Sequence, residues 1–122
     1  MTFQEILERL VDGTPGALAG AIMAADGVPI EEYSKSGEEL DLASVAIEFQ
    51  HVLEQSKKIS GTLYPDSGSA LEELMLVTAG HQLYFRQIDD EFFCAVALSH
   101  EGLLGKARYL LRSLLQDLRE AL

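Results

Sequence analysis

Apolar residues at Phe3, Ile6, Leu7, Leu10 and Val11 recur three and four apart, which predicts a short helix with one buried stripe. Thr2 and Glu5 frame its start as a capping box, satisfying amides that the first turn leaves open. Gly13 suits a left-handed residue after the last turn, and Pro15 prevents continuation. The period then changes. Ala17 to Ala25 is almost wholly apolar, as in a strand covered on both faces. Asp26-Gly27 is a hairpin turn signal, because both residues tolerate positive φ. Val28 to Ser34 carries Pro29, Glu31 and Glu32 and reads as a polar edge strand protected against unwanted pairing.

Ser36-Gly37-Glu38-Glu39 is a second capping box. It opens the longest predicted helix, Glu38 to Ser60, with Leu42, Val45, Ala46, Phe49, Val52, Leu53 and Ile59 as its main buried stripe. A second stripe, Leu40, Ala43, Ile47, Gln50, His51 and Glu54, leaves the helix apolar over more than one contact width. That is expected of a helix with two neighbours, one of which can be another molecule. A loop with Pro65-Asp66-Ser67-Gly68 leads into three strands, Ala70 to Thr78, His81 to Ile88 and Glu91 to Ser99, broken at Gly80 and Asp89-Asp90. Turns this short impose antiparallel pairing. The continuous apolar runs Leu74–Val77 and Phe92–Leu98 imply a sheet covered by helices on both sides. The final helix, Gly102 to Leu122, buries Leu103, Ala107, Leu110, Leu111, Leu114, Leu115 and Leu118. The predicted order is α-β-β-α-β-β-β-α, an α/β (α+β) sandwich in a single domain over residues 1–122.

Composition narrows the function. The chain has 122 residues and a formal net charge of −11. That balance opposes binding to a nucleic-acid backbone or an anionic membrane surface, both of which require a dense cationic face. One cysteine forms no internal disulfide, and no targeting signal precedes Arg9, so a cytoplasmic protein is expected. Charge is unevenly spread. Lys106, Arg108, Arg112 and Arg119 against Asp117 and Glu120 leave the last helix at +2, while the remainder carries −13, much of it between Glu31 and Glu48. A partner docking on the acidic end of the long helix is therefore expected to be basic.

No catalytic pattern emerges. Gly102-Leu103-Leu104-Gly105-Lys106-Ala107 lacks the gap between glycines and the Ser or Thr after lysine of a phosphate loop. His51, His81, His100 and Cys94 show no zinc-ligand spacing, and Cys94 lies in an apolar strand. The acidic runs lack the alternation of a calcium loop. Neither an enzyme, a cofactor nor a metal is expected.

The segment from Gly16 to Ile30, a strand of small residues, an Asp-Gly turn and a short return, resembles the signature hairpin of roadblock / dynein light chain domains. The element order and the opening of the last helix, Leu103-Leu104-Gly105-Lys106-Ala107-Arg108, resemble that family too, in its bacterial MglB-like branch. The resemblance implies a five-stranded antiparallel sheet with the long helix on one face and both terminal helices on the other. It also implies a homodimer joined through the third strand (Leu71, Glu72, Leu74, Leu76 and Thr78) and the long helix. Glu72 and Glu73 are open to a second reading as charged gatekeepers of that strand. A small Ras-like GTPase is the implied partner, contacted through the stripe Leu40, Ala43, Ile47, Gln50, His51 and Glu54. The protein would act as its GTPase-activating protein, by rearranging the partner's own catalytic residues, or as a docking platform. The sequence ends at Leu122 without the C-terminal extension of some MglB-like members, which leaves tethering as open as activation. Two other readings stand beside this one: a non-enzymatic scaffold subunit, and a small-ligand sensor of profilin-like architecture with a polar cavity around His81, Tyr84 and Arg86.

Overall fold

The computed structural model describes residues 1–35, 37, 40–63 and 71–122; the side chains of Ala43 and Ala46 also lie outside that description. The elements are α1 (Phe3–Asp12), β1 (Ala17–Ala24), β2 (Pro29–Ser34), α2 (Leu42–Leu63), β3 (Glu73–Val77), β4 (His81–Gln87), β5 (Phe92–Ser99) and α3 (Leu104–Ala121). All strand pairs are antiparallel, in the spatial order β2-β1-β5-β4-β3. The predicted element order and layering are both observed.

The two-sided apolar character of β1 and β5 has a direct structural reason. Alternate residues of each strand feed two separate cores. Ile22, Tyr84, Cys94, Val96 and Leu98 meet Ile6, Leu7, Leu10 and Val11 of α1 and Leu111, Leu114 and Leu118 of α3. On the other face Ala19, Ala21, Met23, Phe85, Phe93, Ala95 and Ala97 meet Leu42, Phe49 and Leu53 of α2. The alanines on that face have short side chains, which lets α2 lie close to the sheet. The rings of Phe49 and Phe85 stack at 3.8 Å between centroids.

Local chemistry sets the ends of the elements. The Thr2 hydroxyl oxygen accepts the Glu5 amide at 3.1 Å, as the first capping box predicts. Gly13, by contrast, has φ −83° and is not left-handed; Gly16 is, with φ +82°. The hairpin also differs from expectation. Only Gly27 has positive φ (+92°), and residues 25–27 form a three-residue loop closed by Gly27 N–H to Ala24 C=O at 2.9 Å. A type I turn followed by one left-handed residue spares Asp26 the steric cost of positive φ. Helix α2 begins at Leu42, later than predicted, because Asp41 caps it: its carboxylate accepts the Ser44 amide at 3.2 Å and the Ser44 hydroxyl at 2.6 Å. Of the predicted box Ser36-Gly37-Glu38-Glu39, all but Gly37 lies outside the described residues, as does the Pro65–Gly68 loop. Two residues assigned to the buried stripe are exposed, Val52 at 45% and Ile59 at 63%. In α3, Leu103 is likewise exposed at 54% and precedes the helix, while Leu110 is half-buried.

Gly16 is a close-packing point. Its carbonyl accepts the Ser99 amide at 2.8 Å, and the Pro15 carbonyl accepts Leu103 N–H at 2.9 Å, joining the start of β1 to the entry of α3. A Cβ at Gly16 would lie 2.3 Å from Gly102 Cα. Gly16→Ala combines a left-handed penalty with a backbone clash and is expected to destabilise by about 3 kcal/mol. Gly80→Ala, with nothing within 4 Å of the added methyl, should stay within about 0.5 kcal/mol of the parent. Urea unfolding of both variants checks the contrast.

Candidate functional site

Catalytic chemistry has little material to work with. Among the described residues no group of three or more His, Cys, Asp or Glu is placed to hold a metal ion. Cys94 is fully buried and its thiol is pushed up to about 12 by that burial, so it is protonated and inert at neutral pH. His51 is exposed on α2, His81 opens β4 and His100 sits in the turn after β5. They do not share a site. The polar set proposed for a sensor cavity is also split. Strand alternation places Tyr84 and Arg86 on the α3 side and His81 on the α2 side. A cavity of about 220 Å³ does exist beside His81, lined by Asp41, Val45, Thr78, Leu83 and Ala97 among others, but neither Tyr84 nor Arg86 reaches it.

The surface around α2 is more informative. Leu42, Phe49 and Leu53 hold the helix on the sheet, leaving two flanks. One faces the β1–β2 hairpin: a side chain at Gly27 would lie within 4 Å of Ile47 and Gln50. Ile47 is 56% exposed there, and Val28 is exposed on the hairpin itself. His51 and Glu54 continue this flank as exposed residues and Gln50 is half-buried. Leu40 departs from the predicted stripe, because it packs against the core beneath α2. The Ala43 side chain lies outside the described residues.

The other flank faces β3. Glu48, Phe49 and Val52 of α2 and Leu74, Met75 and Leu76 of β3 line an apolar groove of about 210 Å³. Among the described residues β3 pairs only with β4, which leaves its other edge open. The bonds Gln87 N–H to Glu72 C=O and Thr78 N–H to His81 C=O bracket the strand. Alternation then turns the Leu74 and Leu76 amides toward β4 and those of Glu73, Met75 and Val77 toward the open edge. Met75, Leu76 and Val77 are all exposed, Val77 at 65%. Leu71 and Leu74 are half-buried against the α2-side core, Glu72 is exposed, and Thr78 closes the β3–β4 turn. Sequence reasoning missed Met75, Val77, Ile59 and Leu63 here. Val52, Ile59 and Leu63 lie seven and eleven apart, a ridge that a separate count along the helix would have found.

Glu73 has a different job from that of a free gatekeeper. Its carboxylate takes two bonds from Arg108 of α3, Nε at 2.8 Å and Nη2 at 2.5 Å, and a third from the Tyr84 hydroxyl at 2.5 Å. The Arg108 bonds hold its carboxyl below the usual glutamate range, against an opposing effect of desolvation. Burial, then Glu73, pushes the Tyr84 phenol up. The cluster straps the edge strand to α3. Because the folded-state pKa of Glu73 is depressed, its contribution to stability is present above the ordinary glutamate value of about 4.3 and is lost as pH falls through the lower folded value. Glu73→Gln should therefore unfold at lower urea than the parent at neutral pH, and the gap should close on acidification below the carboxylate range. A gap that persists unchanged in acid would show that packing, and not ionisation, carries the contribution.

No protein-family model and no curated protein matches the sequence. Solved structures do. The protein MglC from Myxococcus xanthus is 30% identical over 100% of both chains, with a TM-score of 0.69. A Roadblock/LC7 domain from Streptomyces avermitilis superposes with a TM-score of 0.81 at 16% identity, covering 98% of this chain and 97% of that one. The gliding protein MglB from Thermus thermophilus gives 0.85 at 14% identity, covering 97% and 86%. The latter two show a shared fold; the first is a relative across its whole length.

Proposed function

Because the chain belongs to the roadblock/LC7 domain family, we propose that it is a cytoplasmic homodimeric regulator, one domain over residues 1–122, that binds a small Ras-like GTPase. The observation that carries this reading is the pair of unlike flanks on α2. The flank beside β3 offers an apolar groove and an open strand edge, which suit a second copy of the same chain. The flank beside the β1–β2 hairpin offers Ile47 with the polar His51 and Glu54, which suits a partner that associates and leaves. The full-length likeness to MglC and the fold shared with a gliding protein support a role beside such a GTPase. No helix among the described residues is long and apolar enough to cross a membrane.

In this arrangement β3 pairs with its two-fold mate, the edge amides of Glu73, Met75 and Val77 find acceptors, and two α2 helices lie side by side. The GTPase docks on the hairpin-side flanks. Helix α2 contains no arginine, so this surface offers no arginine to insert, and acceleration of hydrolysis would work by rearranging the GTPase's own catalytic residues. The acidic stretch from Glu31 to Glu48 favours a basic docking face, with binding that weakens as salt rises.

Two substitutions separate the two surfaces. Leu76→Arg places a charge in the groove and should halve the particle mass in light scattering. Ile47→Arg should leave the mass unchanged and weaken GTPase binding by more than about tenfold. Binding must also differ between the GDP and GTP forms, since a regulator with equal affinity for both shifts no equilibrium. Equal affinities, or an Ile47→Arg variant that binds as the parent does, would sink the regulatory reading.

A further inference from the structure

The chain's negative charge is interrupted by one basic ridge that neither surface of α2 uses. Arg108, Arg112 and Arg119 lie four and seven apart on α3. At 100° per residue they fall within about 40° of one another, with Asp117 on the opposite side. The ridge overlooks the outer strands. Arg108 reaches Glu73 of β3, and Arg119 Nε donates to the Ile88 carbonyl at the end of β4, at 3.3 Å. Arg86 of β4 stands in register with Glu73 and belongs to the same face.

Among the described residues the only ion pair made by these four arginines is that of Arg108 with Glu73. Both oxygens of Glu73 are taken by the Arg108 fork and the Tyr84 hydroxyl. Arg86 acts on Glu73 only through its charge, and its Nε is buried without a hydrogen-bond partner among the described residues. Arg112 is exposed and likewise has no hydrogen bond or ion pair among them. A buried guanidinium nitrogen left open beside an exposed arginine line is unusual in a chain of net charge −11.

We propose that this ridge binds a carboxylate-rich segment of a partner protein. Arg108 to Arg119 spans about 16 Å along the helix, the length of about five residues in an extended chain. The geometry of Arg108 on Glu73 already shows a forked guanidinium on a carboxylate, the contact that an incoming Asp or Glu would repeat. A short acidic segment remains within the ridge. A long polyanion would run past it onto the negative remainder of the surface, whereas charges beyond about 8 Å are largely screened at physiological salt. The ridge lies across the sheet from α2, so the proposal does not depend on the GTPase reading.

Fluorescence anisotropy with labelled penta-glutamate and the full-length chain tests it. Saturable binding that weakens with added salt is expected. Arg112→Glu combined with Arg119→Glu should weaken it about tenfold or more, while Lys58→Gln, the loss of an exposed cation on α2 across the sheet, leaves it unchanged. Arg112→Gln alone, a milder change at an exposed position, should give a smaller loss in the same direction, with unaltered circular dichroism. Binding that survives the double reversal would overturn the proposal. So would tighter binding of penta-thymidylate or of phosphatidylserine vesicles than of the peptide, because the ridge would then select phosphate polyanions or an anionic membrane.

Discussion

A sheet of five strands is about 19 Å across, from four spacings of about 4.8 Å, whereas one helix with its side chains is about 10 Å wide. Both faces of this sheet are apolar and both require cover. On one face α1 and α3 lie together and bury their side of the strands. On the other, α2 is the only helix among the described residues. A single helix cannot cover that width, and the uncovered part falls where Leu76 is exposed and an apolar groove opens beside Val52. The imbalance between two helices and one leaves apolar surface beside β3. A second α2, brought alongside by pairing of the β3 edges, would restore the balance.

The same imbalance accounts for the division of labour in α2. Its inner residues Leu42, Phe49 and Leu53 are committed to Phe85 and Phe93, and both remaining flanks are surface. Among the described residues both edge strands, β2 and β3, have an unpaired side, but only β3 is free of proline, so the flank beside it is the one suited to gain backbone hydrogen bonds from a like chain. Strand β2, at the far edge, carries Pro29, Glu31 and Glu32 and is unsuited to pairing. On the helical face the Glu73 cluster holds β3 against α3, so the edge is presented by a strand fixed from behind.

Much of this was legible in the sequence where one physical rule acted alone. The order of elements, the hairpin, the antiparallel turns and the two-sided burial of β1 and β5 follow from period and turn chemistry. The layering came from family resemblance. Reading failed where two rules competed. Ser36 and Asp41 both offer caps to α2, and local pattern did not rank them. Val52 and Ile59 are apolar on a helix that is apolar on several sides, and periodicity does not reveal which side meets the sheet. Glu73 looked like a solvated charge because its partners Arg108 and Tyr84 are distant in sequence. The grouping of His81 with Tyr84 and Arg86, in contrast, neglected the alternation of a single strand, which the sequence alone supplies.

If a second copy closes the open edge of β3 in solution, residue-resolved hydrogen exchange detects it at the backbone itself. Met75 and Val77 direct their amides to that edge, while Leu74 and Leu76 direct theirs to β4. All four should then be protected to a similar degree, and dilution or Leu76→Arg should selectively release Met75 and Val77. Fast exchange at Met75 and Val77 at high protein concentration, with Leu74 and Leu76 still protected, would mean that the edge stays open and that no like strand pairs with it.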